Sequence, residues 1–139
     1  MVTGGTKGQG AAIVARLCEA GATVMTLART KRQDDLDSDP FVPADVTTPD
    51  GAQTVLDQVP TRLGTLDILV QVVGGSLSPA GGFEALSDEH WKGGLNRNLL
   101  AAVRLDRGLL RATIAAKAGA VVHISSIQRP MPLFEATLG

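Results

Sequence analysis

Thr3-Gly4-Gly5-Thr6-Lys7-Gly8-Gln9-Gly10 stands between a short apolar stretch, Met1-Val2, and an amphipathic segment from Ala11 to Ala20. A chain leaving a strand for a tight turn needs residues that tolerate positive φ, and glycine does so without steric cost. A backbone without Cβ also admits a pyrophosphate to close range. The helix that follows then aims its free N–H groups and the positive end of its dipole at that phosphate. Strand, glycine loop and helix in this order form the context of a dinucleotide-binding turn. The spacing here is Gly-x-x-x-Gly-x-Gly rather than Gly-x-Gly-x-x-Gly. A glycine-rich turn that holds no ligand is the plainer reading of the stretch alone.

Outward from this turn, strands and helices alternate. Ile13, Leu17 and Ala20 fall at helical spacing with Arg16 and Glu19 turned away, and Gly21 closes the helix. Thr23–Ala28 reads as a second strand, and Thr30–Pro40, with Asp34, Asp35, Asp37 and Asp39, as a solvated loop. Phe41–Ala44 is a brief third strand, and Pro43 suits an edge position because it cannot donate to a ladder. Thr48-Pro49 opens a helix as cap and first residue. Leu66–Val73, nearly all apolar, reads as a strand buried on both faces. A Ser-, Pro- and Gly-containing loop follows, then a helix from Ser87 and a long helix to about Lys117. Ala120–Ile124 is expected to be a last buried strand. The order argues for a parallel sheet with helices on both faces.

The bulk numbers fit one domain: 139 residues, 44% hydrophobic, with no linker or repeat. A net charge of −1 and no dense basic run argue against nucleic acid, and no apolar run reaches the length of a membrane span. Cys18 is the single cysteine, which excludes an internal disulfide and suits a reducing cytoplasm. It reads as a packed small hydrophobe. His90 and His123 lie too far apart to suggest a metal site with one cysteine, so no metal is expected.

Five short motifs then agree in order and spacing: Thr3-Gly4…Gly8-Gln9-Gly10, Asp45-Val46, Val73-Gly74, Asn98 and Ile124-Ser125-Ser126. In these the chain resembles the short-chain dehydrogenase/reductase family over essentially its whole length. The resemblance implies a Rossmann-type doubly wound parallel α/β sheet, here incomplete at both ends, forming a truncated dinucleotide-binding domain over residues 1–139. It implies hydride transfer between a nicotinamide coenzyme and a small carbonyl compound or secondary alcohol. Gly4, Thr6, Lys7, Gly8, Gln9, Gly10, Arg29, Asp45, Val46 and Gly74 are the coenzyme-binding residues it implies. Asn98 is implied to hold a water in a proton relay, and Ser126 to orient the substrate oxygen. The plainer readings are a polar plug at a helix start for Asn98 and a strand-ending serine for Ser126.

The chain departs from the family pattern in several places. The family's Asn-Asn-Ala-Gly is Gln71-Val72-Val73-Gly74, and Gln9 stands where Ile is usual. The family's Tyr-x-x-x-Lys is absent, because the chain contains no tyrosine at all. The expectation is therefore a fragment, inactive by itself, with a non-catalytic nucleotide-binding or vestigial protein as the alternative. Coenzyme choice follows from charge. NAD enzymes place an acid after the second strand, whereas Leu27-Ala28-Arg29-Thr30 has none. Arg29 and Lys7 offer two cations to a 2′-phosphate, which favours NADP(H) over NAD(H). Two solvated surface cations are the plainer reading. Arg104, Arg107 and Arg111 share a helical face, most simply a solvated stripe. In the family this helix packs against its copy, which implies a homo-oligomer for the complete protein.

Overall fold

The computed structural model describes residues 1–31, 40–127 and 130–131. The acidic stretch with Asp34, Asp35, Asp37 and Asp39 lies outside the described residues. Five parallel strands form one sheet: β1 (Val2–Thr3), β2 (Thr26–Ala28), β3 (Phe41–Pro43), β4 (Ile68–Gln71) and β5 (Ala120–His123), in the order β3-β2-β1-β4-β5. The helices are α1 (Gly8–Glu19), α2 (Pro49–Leu63), α3 (Asp88–Leu95) and α4 (Ala101–Ala116). A π-helical turn, Asn96–Leu100, joins α3 to α4. This is the doubly wound arrangement, with β1 at the centre and Pro43 on the edge strand β3.

Strand alternation sorts the core into two layers. Val2, Val24 and Val70 face α1, where Ile13, Val14, Leu17 and Cys18 pack on them. Met25, Leu27, Val42 and Leu69 face the other way, toward Val55 and Val59 of α2 and Leu105 and Leu109 of α4. Residues of alternating parity point to opposite faces of a pleated strand, and both faces are covered by helices.

The central strand is short, and other groups extend its pairing. The Met1 amino group donates to Ile68 O at 2.7 Å, and Val70 N–H donates to Met1 O at 2.9 Å. Beyond the last rung, the fully buried Thr3 takes over with its side chain. Its Oγ1 accepts from Val72 N–H at 2.8 Å and from Val73 N–H at 3.1 Å. The hydroxyl thus stands in for backbone where the strands diverge.

Two expectations need correction. β5 is not a buried strand: Ala120, Val122 and His123 are exposed and only Val121 is half-buried. It sits at the sheet edge, so β4 is its one ladder partner among the described residues. Strand β4 also begins exposed, at Ile68, before three buried residues. Elsewhere the local chemistry holds. Thr48 caps α2 by accepting from Gly51 N–H at 3.0 Å, with Pro49 in the first turn. Ser87 and His90 form a capping box on α3, His90 Nδ1 accepting from Ser87 N–H at 3.0 Å. Trp91 meets Phe83, with ring centroids 5.8 Å apart.

Candidate functional site

A cleft of about 600 Å³ opens at the carboxyl ends of β1, β2, β3 and β4. In open α/β sheets ligands sit at that end, where the strand order reverses, here between β1 and β4. Gly4, Thr6, Lys7, Gly8, Gln9, Gly10, Arg29, Asp45, Val46 and Gly74 all line it, so every coenzyme residue expected from sequence converges on one cavity.

The glycine loop shows why its residues are needed. Gly4 and Gly8 have φ of +65° and +53°, which side-chain-bearing residues rarely adopt. A Cβ at Gly10 would run into the Gly4 carbonyl, whose carbon would lie at 2.9 Å, so the loop folds tightly back on the start of α1. A Cβ at Gly8 would meet nothing within 4 Å, so that position opens on the cavity. Helix α1 starts with no side-chain cap and no acid in its first turn, which leaves its leading N–H groups and dipole to a ligand.

Asp45 is held by a tight turn. Its Oδ1 accepts from Thr47 N–H at 3.0 Å and from Thr47 Oγ1–H at 2.7 Å. These bonds, led by the hydroxyl, hold the Asp45 carboxyl below its usual 3.8, and the nearby charges of Arg29 and Arg97 act in the same direction. A carboxyl lowered in the fold contributes stability that is complete above 3.8 and is lost as the pH falls further through the lowered value. Thr47→Val is expected to move the Asp45 titration, followed by carboxyl-carbon NMR, upward toward 3.8 and to shift the acid limb of stability to higher pH. An unmoved titration would show that the hydroxyl bond does not matter.

The two residues expected to act in chemistry lie beside the cleft rather than in its wall. Asn98 is in the π turn, and its carboxamide pairs with both backbone groups of one residue: Gly75 N–H donates to Oδ1 at 2.7 Å and Nδ2 donates to Gly75 O at 3.1 Å. Single π turns interrupt helices often at functional sites. Ser126, half-buried, follows β5 and does not line the cavity. Gln71, in the altered family motif, turns into α4, donating to Asp106 Oδ1 at 2.7 Å and to Ala102 O at 3.3 Å. His123 Nε2 lies 3.4 Å from the other Asp106 oxygen.

Sequence reasoning missed Thr47, Leu77 and Arg97 on the cavity wall. Thr47 had a local signal, the Asp-x-Thr spacing of an Asx turn. Arg97 had none, because it reaches the cleft only through long-range packing. Among the described residues no group of three or more His, Cys, Asp or Glu side chains could hold a metal. No helix among them is long and apolar enough to cross a membrane.

A strand–glycine loop–helix turn at a strand-order switch defines a doubly wound α/β protein, and the comparisons with known proteins narrow the class. The family model of short chain dehydrogenases matches residues 1–138. A short chain dehydrogenase of Pseudocercospora fijiensis is 32% identical over 95% of this chain and 46% of its own length. The 3-oxoacyl-[acyl-carrier-protein] reductase of Haemophilus influenzae is 27% identical over 91% of this chain and 54% of its own. The crystal structure of L-sorbose reductase from Gluconobacter frateurii, complexed with NADPH and L-sorbose, superposes with a TM-score of 0.87 at 30% identity, covering 99% of this chain and 55% of that one. This chain belongs to the short-chain dehydrogenase family. It spans about half the length of the relatives it matches.

Proposed function

We propose that residues 1–139 form one dinucleotide-binding domain of an NADP(H)-dependent oxidoreductase acting on a small carbonyl compound or secondary alcohol. The observation that carries this reading is the convergence of the glycine loop, Asp45, Val46 and Gly74 on one cleft, with Lys7 and Arg29 beside it. The residues fit the coenzyme: an uncapped helix start for the pyrophosphate, a glycine at position 8 that leaves space, and two cations with no acid after β2 for a 2′-phosphate. When bound, the nicotinamide supplies hydride chemistry. The chain's own residues bind and orient. Lys7 and Arg29 select the phosphorylated ribose, Gly74 admits the backbone to the nicotinamide ribose, and Ser126 donates to the substrate oxygen. Asn98 holds the loop after β4 through Gly75.

Residues 1–139 contain no tyrosine, so on this reading they supply no phenolic proton donor, and binding is the property to test first. Titration of the chain with NADPH and NADH, followed by nicotinamide fluorescence, is expected to show saturable binding with NADPH at least about tenfold tighter, the weight of one charge-assisted contact. Binding of neither would overturn the reading, and equal binding would overturn its NADP(H) part. Two further parts of the proposal are a reducing cytoplasmic setting, consistent with the lone Cys18, and self-association through the α4 side, where Leu99, Val103 and Ile114 are exposed.

A further inference from the structure

Arg97 is a third cation of the cleft, and it comes from a different part of the fold than the other two. Lys7 follows β1 and Arg29 follows β2, whereas Arg97 is in the π turn between α3 and α4. It is half-buried, and its side chain makes no hydrogen bond or ion pair among the described residues. Its side chain borders both the main cleft and a smaller cavity of about 210 Å³ behind the Gly75–Ser78 loop.

Its backbone is unusually well fixed for a residue with a free head group. On one side Asn96 Nδ2 donates to Thr47 O at 2.7 Å. On the other, Asn98 is doubly bonded to Gly75. Thr47 in turn holds Asp45. Asp45, Thr47, Asn96 and Arg97 are thus one connected arrangement that places a guanidinium within electrostatic reach of Asp45. A pre-placed side chain loses less freedom when a ligand arrives.

The inference rests on the coenzyme reading above. If Arg29 meets the 2′-phosphate, the adenosine half of the dinucleotide occupies the β2–β3 side of the cleft, where Asp45, Val46 and Thr47 lie. We propose that Arg97 is a purine-binding residue, its planar guanidinium taking the face of the base and closing that end of the cleft. Guanidinium planes stack on aromatic rings and nucleobases, and the contact strengthens as it is desolvated. The role is independent of the 2′-phosphate, so it serves phosphorylated and unphosphorylated ligands alike.

The test compares the full chain with Arg97→Met, which keeps much of the length and loses the charged plane. Isothermal titration with ADP and with 2′,5′-ADP is expected to show both weakened by the same factor, about five- to thirtyfold, the range of a partly to fully desolvated cation–π contact. Nicotinamide mononucleotide, which lacks the purine, is expected to bind both proteins equally. Loss confined to 2′,5′-ADP would make Arg97 a phosphate reader and overturn the proposal, as would unchanged affinity for both ligands. A wild-type chain that binds no adenine nucleotide would overturn this role together with the coenzyme reading beneath it, so the two failures are told apart. If circular dichroism shows Arg97→Met unfolded, Arg97→Lys serves instead. It keeps the charge and loses the plane, and is expected to weaken both ligands equally, by several-fold; an unchanged Lys variant would overturn the proposal.

Discussion

Arg29→Asp is expected to weaken NADPH binding by at least about 10- to 150-fold while leaving NADH within a few-fold of its original affinity. The lower part of that range is the loss of a charge-assisted hydrogen bond, about 1.5–3 kcal/mol. Repulsion between the new carboxylate and a 2′-phosphate adds to it. Arg29 is exposed at the end of β2, on the cleft wall, so the substitution disturbs no core contact. The same carboxylate reaches a ribose 2′-OH, which is the arrangement NAD enzymes of doubly wound folds use. Fluorescence titration of both coenzymes against both proteins is the measurement. An unchanged ratio, whether both affinities hold or both fall together, would remove Arg29 from coenzyme selection. Lys7, exposed on the same rim, remains in the variant, so selectivity is expected to fall or invert without binding being abolished.

The second large effect is on stability. Thr3→Val conserves shape and removes only the hydroxyl that accepts from Val72 N–H and Val73 N–H. Each of these part-buried donors left without a partner costs up to about 1–3 kcal/mol, so a loss of about 2–6 kcal/mol is expected. A domain's whole margin is about 5–15 kcal/mol, which makes this one oxygen a large part of it. Thr3→Ser keeps the oxygen and is expected to lose about 1 kcal/mol for the missing methyl. Urea unfolding of the three proteins measures the difference. A Val variant as stable as the Ser variant would mean that water reaches the two amides. Val72 and Val73 also line the cleft, so nucleotide affinity is expected to weaken with stability.

Much of the fold was legible because it is written in local chemistry. The glycine loop, the Thr48-Pro49 cap and Pro43 on an edge strand each depend on a residue's own backbone preferences. The convergence of the glycine loop, Asp45, Val46 and Gly74 on one cleft was legible for the same reason, since they sit at strand ends whose order the alternation of elements reveals. What failed was non-local. Val121 and Val122 look like core, but the exposure of β5 depends on what lies beside it, not on its own composition. The π turn is a shift in hydrogen-bond register that leaves apolar spacing almost unchanged. The partners of Gln71, Asn98 and Thr3 lie 35, 23 and about 70 residues away, beyond any local pattern. Arg97 entered the site through the same kind of distant contact.

The pairing of Asn98 with Gly75 has a consequence of its own. A carboxamide carries the polar groups of a peptide, one carbonyl acceptor and an NH2 with two donors, held in a plane. Set against the N–H and C=O of Gly75, it reproduces what a neighbouring strand would offer there. The helix therefore supplies a detached rung, beyond the end of β4 at Gln71, to chain that has left the ladder. Only an amide can act as that rung. Aspartate has the same shape, but it would put a negative oxygen against the Gly75 carbonyl and turn a splice into a repulsion.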